Sequence, residues 1–302
     1  MSEDPIRISG LTKKFRWTPV LKGLDLAVPP GAVFALVGPN GVGKTTTIKI
    51  LMNILRPTSG SVEVLGIDSR RLAGRDFTRI GYVSENQELP DWMTVDYLLA
   101  YLRPFYPAWD PDLAAQLVSQ FNLPGNRKLK HLSRGMRMKA ALASSLAYRP
   151  ELIVLDEPFT GLDPLARDEF IEGLLERSEN TTIFISSHDL ADIETFASHI
   201  AYLDDGRIQF AEELTALSDR FREIEIAFDA APPLPADWPA TWLHPESSAA
   251  LIRFTDSRYE EEHTMAEIRA RFPDARNVAA TPLPLRTIFV TVAKAAKRAA
   301  AA

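Results

Sequence analysis

Residues 38–46 run Gly38-Pro39-Asn40-Gly41-Val42-Gly43-Lys44-Thr45-Thr46 and fit the pattern G-x-x-x-x-G-K-[ST] at every required position. The apolar run Ala32 to Val37 leads into this stretch. Thr45 to Leu55, with Ile48, Leu51, Met52 and Leu55 at helical spacing, leads out of it, so the stretch is predicted to join a strand to a helix. Glycines at 38, 41 and 43 let the backbone turn until successive N–H groups face a phosphate chain, and the start of the helix adds partial positive charge. In such a cradle Lys44 reaches the β and γ phosphates and the Thr45 hydroxyl sits on Mg2+. A chance glycine-rich turn is the plainer alternative; the complete motif in its strand–loop–helix setting favours the nucleotide.

Upstream, Ile6 to Phe15 and Leu21 to Val28 are predicted strands, the second closed by Pro29-Pro30-Gly31. Phe15 either stacks on a purine or is an ordinary edge-strand aromatic; spacing alone leaves both open. Downstream, Ser59 to Val64 and Arg79 to Ser84 are predicted strands. From Leu89 to about His131 the pattern turns helical, with Asp110-Pro111 as a cap and first-turn proline ahead of the stripe Leu113, Leu117, Val118 and Phe121. Trp92, Tyr97, Tyr101, Phe105, Tyr106 and Trp109 crowd this segment, and core packing is expected for most of them ahead of a partner-docking groove. Leu132-Ser133-Arg134-Gly135-Met136 opens an alanine-rich helix over Arg137 to Tyr148, in which Ser133 by itself reads as an N-cap.

The run Leu152 to Leu155 predicts a buried strand ending in Asp156-Glu157-Pro158. Two carboxylates there are costly without a task. Asp156 suits Mg2+, directly or through water, and Glu157 suits a general base within hydrogen-bond reach of an attacking water. Gly161-Leu162-Asp163-Pro164 starts a helix to about Ser178, Thr181 to Ser186 is a further strand, and His188 stands just past its end, where ligands collect in a nucleotide-binding sheet. Ile200 to Leu203 and Arg207 to Phe210, joined across Asp204-Asp205-Gly206, form a predicted hairpin. A helix over Glu212 to Phe221 is expected to close this domain, taken as 1–221 with a helical insert at about 89–148. Residues 222–302 form a small α+β domain: a proline-rich stretch from Ala230 to Ala240, strands over Glu223 to Phe228, Ala249 to Phe254 and Asn277 to Ala280, a helix over Tyr259 to Phe272 and a last helix from Leu285. The tail, with Lys294, Lys297 and Arg298 among alanines, reads as a frayed helix end.

With 34 basic against 40 acidic residues the chain offers no electrostatic footprint for a nucleic-acid backbone. No run approaches the roughly 18 apolar residues of a membrane span, and Met1 to Pro5 lack the charged and apolar regions of a signal peptide, so a cytosolic chain is expected. The absence of cysteine excludes disulfides, thiolate metal sites and a thiol nucleophile.

Across roughly residues 6 to 220 the order of these motifs resembles the ATP-binding subunit of an ABC transporter. Gly38 to Thr46 resembles the Walker A loop, Leu152 to Glu157 the Walker B strand with its catalytic glutamate, and Leu132 to Met136 the LSGGQ signature. Gly161 to Asp163 resembles the D-loop, His188 the switch histidine and Phe15 the adenine-stacking aromatic. The Tyr82-Val83-Ser84 and Trp92-Met93-Thr94-Val95 phrases look like the branch serving ABC-2 type exporters. The resemblance implies a P-loop NTPase core with an antiparallel β subdomain and a helical insert. It also implies MgATP at Gly38, Pro39, Asn40, Gly41, Val42, Gly43, Lys44, Thr45 and Thr46, with Asp163 of the D-loop also binding nucleotide, and Ser133 and Gly135 facing the nucleotide of a second subunit. Glu157, His188 and Lys44 are the implied catalytic residues, and a separate membrane permease is the implied partner at the cytoplasmic face. The chain departs from the family where Glu85 replaces the Q-loop glutamine and Arg134 and Met136 replace glycine and glutamine of the signature. Glu85 is expected to act as a further metal ligand, with Gln87 nearby as a stand-in only if the loop shifts. A soluble ABC-type mechanoenzyme working on ribosomes or DNA is the alternative; the acidic balance and single cassette weigh against it. A P-loop kinase or GTPase would leave Ser133 and His188 without roles.

Overall fold

The computed structural model describes residues 4–176, 181–230, 233–235 and 237–301, with side chains described up to 295. The expected helix end at Ser178, three positions of the proline-rich stretch, the first three residues and the side chains of Lys297 and Arg298 lie outside the described residues. The chain divides into two compact units, Met1–Ala211 and Glu212–Ala302.

The first unit holds two sheets. β1 (Ile6–Phe15), β2 (Thr18–Val28), β4 (Ser59–Val64) and β5 (Ile67–Asp68) form an antiparallel sheet in the order β2-β1-β4-β5. Alternating burial along β1 and β2 gives it one wet face. The second sheet has the order β10-β9-β3-β8-β7-β6, from β3 (Val33–Val37), β6 (Ile80–Ser84), β7 (Leu152–Asp156), β8 (Thr182–Ser187), β9 (His199–Asp204) and β10 (Arg207–Glu213). Here β9, β3, β8, β7 and β6 run parallel. Every residue of β3, β7 and β8 is buried, as the unbroken apolar runs Val33 to Val37 and Leu152 to Leu155 require of strands covered on both faces. One apolar cluster, from Ile6, Leu24 and Val62 to Phe34, Val154 and Phe184, joins the two sheets to α1 (Lys44–Leu51).

Register places the site. Val37 lies beside Ser187, Ser84 beside Asp156, and Asp156 beside Ser186, so the C-terminal ends of four parallel strands finish together, where an open α/β sheet binds ligands.

Between β6 and β7 lie α2 (Val95–Leu102), α3 (Pro111–Gln120) and α4 (Arg134–Leu146). Thr94 caps α2 by accepting from the Tyr97 N–H, and Asp110 caps α3 with Pro111 at its first position. The expected core packing of the aromatics is not found. Trp92, Tyr97, Tyr101 and Phe105 are each at least half exposed, and Tyr106 and Trp109 are only partly buried, because the core-facing side of this segment is filled by Val95, Leu98, Leu113 and Leu117 instead. α5 (Pro164–Leu175) follows β7.

The second unit contains α6 (Leu214–Arg220) and its own antiparallel sheet, ordered β12-β13-β11-β14, from β11 (Arg222–Ala227), β12 (Trp242–Ser247), β13 (Leu251–Asp256) and β14 (Asn277–Pro282). Glu212 and Glu213, expected in a helix, are the last residues of β10. β12 was not anticipated: Pro245 and a positive φ of 51° at His244 break the alternation that marks a strand. α7 (Glu261–Arg271) and an aromatic cluster of Trp238, Trp242, Phe254 and Phe272 fill its core, Trp242 stacking on Phe254 at 4.4 Å. α8 (Leu285–Ala301) ends the chain. Among the described residues no helix is long and apolar enough to cross a membrane.

Candidate active site

The loop from β3 to α1 depends on its glycines. Gly41 and Gly43 sit at φ of 84° and 114°, left-handed values that side-chain-bearing residues rarely adopt. A Cβ on Gly38 would run into the Leu203 carbonyl. Gly43 is the N-cap of α1 and offers no capping side chain, so the first N–H groups of the helix stay available to an anion.

Lys44 is only 5% exposed and a buried ammonium needs partners. It donates to the carbonyls of Gly38 (2.7 Å) and Pro39 (3.1 Å) and pairs with Glu157 Oε1 at 3.0 Å. The other oxygen of Glu157 meets His188 Nδ1 at 2.7 Å. Glu157 takes φ of 51°, a conformation uncommon for a residue with a side chain, and its N–H donates to Ser186 Oγ at 3.1 Å. Lysine, glutamate and histidine thus form one chain of contacts across the cleft floor.

Beside it, Asp156 is buried at the end of β7. Its Oδ1 accepts from Thr45 Oγ1 (3.0 Å) and Ser186 Oγ (2.8 Å). Burial pushes its carboxyl above the ordinary aspartate value, and the two hydroxyls oppose that shift without cancelling it. A hydroxyl and a carboxylate converging at this spacing are hard oxygen donors of the kind magnesium takes. Among the described residues no group of three or more His, Cys, Asp or Glu could hold a metal alone.

The resulting cleft, about 470 Å3, is lined by Asn40, Gly41, Gly43, Lys44, Thr45, Thr46, Glu85, Glu157, Thr160 and His188. The structure therefore gathers most of the sequence-predicted residues into one place, with Asp156 directly behind Thr45. Its described lining does not include Phe15, Ser133, Gly135 or Asp163. Phe15 is 44% exposed at the end of β1, with Lys13 Nζ 4.9 Å above its ring. Ser133 caps α4, accepting from the Met136 N–H at 3.2 Å, and Asp163 caps α5, accepting from the Ala166 N–H at 2.9 Å. Sequence inspection overlooked Ser186 and Thr160.

Residues 21–160 match the family model described as ABC transporter. Over 226 residues the chain is 31% identical to the ABC transporter ATP-binding protein YtrB of Bacillus subtilis (strain 168), spanning 74% of this chain and 77% of that protein. The chain belongs to the ABC transporter ATP-binding proteins. It is also 35% identical over 219 residues to the Nod factor export ATP-binding protein I of Burkholderia pseudomallei (strain 1710b), covering 68% of this chain and 70% of the relative. A bacterial ABC transporter cassette solved as a dimer superposes with a TM-score of 0.62 at 25% identity, covering 69% of this chain and 98% of that one. The chain is an ATPase of this family, with the family's α/β fold.

One departure from the ABC pattern, Glu85, falls at this cleft, and a second, Arg134, touches it. Glu85 lines the cleft, and its Oε1 accepts from Arg134 Nη2 of the same chain. Gln87 does not stand in for it. It lines a separate apolar groove of about 450 Å3 in the first unit, with Met52, Phe77, Tyr82, Leu89, Tyr101, Leu102, Tyr106 and Tyr148, and its buried Oε1 has no hydrogen-bond partner among the described residues.

Proposed function

We propose that this ATPase powers a separate membrane permease, in the direction of export, by closing as a dimer on two ATP molecules and reopening on hydrolysis. The observation that carries the reading is the Lys44–Glu157–His188 chain beside Thr45 and Asp156 in a single cleft. The γ-phosphate takes Lys44 from Glu157, which leaves the carboxylate to accept a proton. Glu157 draws that proton from water as the water oxygen bonds to the γ-phosphorus and the bond from phosphorus to the ADP oxygen breaks. His188 holds Glu157 in place through Nδ1. Thr45 and Asp156 would hold Mg2+, which would neutralise charge on the phosphates, with Glu85 as a further ligand only where its ion pair with Arg134 opens. Replacing Glu85 by Gln with no change in Mg2+ dependence removes that ligand from the account.

The second surface of the cassette is formed by Ser133 and Gly135 at the start of α4, and by Asp163. Ser133 is exposed and Gly135 partly so. A helix start carries partial positive charge suited to the γ-phosphate on a second subunit. The dimeric solved relative supports this arrangement, and the export-named relative supports the direction. The groove rimmed by Tyr101 and Tyr106, with a Gln87 acceptor inside it that has no partner among the described residues, suits an amphipathic segment of the permease.

The test is purification of the tagged chain from gently solubilised membranes of its native host. A multi-span protein should co-purify with the wild type and be lost from Tyr101→Glu, while ATPase activity persists. Recovery of ribosomes or DNA instead would favour the soluble mechanoenzyme.

A further inference from the structure

Glu85 follows the end of β6 and Arg134 is the first residue of α4, 49 positions later. Their side chains form an ion pair within one chain. The Arg134 guanidinium also lies over Gly161, whose φ of 71° and missing Cβ make room for it; a Cβ there would stand 2.5 Å from Nη1. One cation therefore ties the end of β6, the start of α4 and the turn before α5. Neither half of the pair fits the family pattern alone, since a carboxylate on the wall of a phosphate cleft repels the ligand and an arginine side chain replaces none at all in the signature.

We infer that Arg134 is a positioning residue of the nucleotide site: it neutralises Glu85 in the same chain and holds that carboxylate to the rim, so that the cleft accepts a γ-phosphate despite the extra acid. This rests on the cleft being the ATP site. The two departures are one compensated unit, and they link the wall of a chain's own cleft to the helix start proposed to face the partner's nucleotide. Removing the arginine alone exposes the carboxylate to the terminal phosphate; removing both charges restores a neutral wall.

The experiment measures binding of a non-hydrolysable ATP analogue and of ADP to the full chain in EDTA, where metal ligation drops out. Arg134→Gln should weaken the analogue about fivefold, the scale of a partly exposed ion pair, and leave ADP within twofold. Glu85→Gln in the same chain should bring analogue affinity back to within twofold of the wild type. Intact ADP binding also shows that the variants fold. Equal weakening of analogue and ADP, or no recovery in the double variant, would overturn the inference. A wild-type chain that binds neither nucleotide would instead remove the site assignment beneath it.

Discussion

Ser186 is the residue on which both cleft carboxylates lean, and replacing it with alanine gives a prediction with a definite size. The side chain is fully buried. Its hydroxyl donates to Asp156 Oδ1 at 2.8 Å and accepts from the Glu157 N–H at 3.1 Å. Ser186→Ala removes a hydrogen bond to a charged acceptor, worth about 1.5–3 kcal/mol, and leaves a backbone donor without its partner at about 1 kcal/mol more. Allowing for the easier burial of a methyl group, the net loss should be about 2–3 kcal/mol at neutral pH. Urea unfolding of the full chain reads it, as a lower midpoint for the first unit while the transition of the second unit stays put. The pH dependence adds a second check. The Ser186 bond lowers the Asp156 pKa against the larger upward push of burial, so the variant's Asp156 titrates higher still. The destabilisation is then fully present above that raised value and shrinks as pH falls through it and the carboxyl protonates. A loss below 0.5 kcal/mol at neutral pH, or one that does not change on acidification, would refute the assignment of Ser186 as the support of both carboxylates.

Two further outcomes follow from the same geometry. Because burial holds Asp156 above the ordinary aspartate pKa, the Mg2+-dependent part of ATP affinity should begin to fall at a higher pH than an ordinary aspartate would give; Asp156→Asn should flatten that profile, as read by nucleotide titration with and without magnesium. In the second unit, Asp256 is 2% exposed and accepts from Thr264 Oγ1 at 2.7 Å and the Arg258 N–H at 2.9 Å. Thr264→Val should destabilise that unit by about 1.5–3 kcal/mol and leave ATP hydrolysis at 25 °C unchanged.

The legible parts of the chain were those where local pattern and chemistry coincide. The glycine–lysine loop, the apolar run into Asp156 and Glu157, and the serine-capped α4 each occupy a few consecutive residues whose spacing states their geometry. What escaped was set by contacts across the sequence. Ser186 takes its place from the register of β8 against β7, which no window around residue 186 contains. The Arg134–Glu85 pair joins β6 to α4, so each looked like an isolated departure. The aromatics of the insert misled because helical spacing tells which residues share a face without telling whether that face has a neighbour. Pro245 hid β12 by the same local logic that exposed the other strands.

The most direct test of the account is the mass in solution of the Glu157→Gln chain with MgATP. Glutamine keeps a polar contact for His188 but cannot accept the proton, and it releases Lys44 to the phosphate. The account predicts bound, unhydrolysed ATP and a particle of twice 33.6 kDa that reverts to a single chain when ATP is removed. A variant that binds ATP and stays at 33.6 kDa, or one that hydrolyses it at the wild-type rate, would contradict the account.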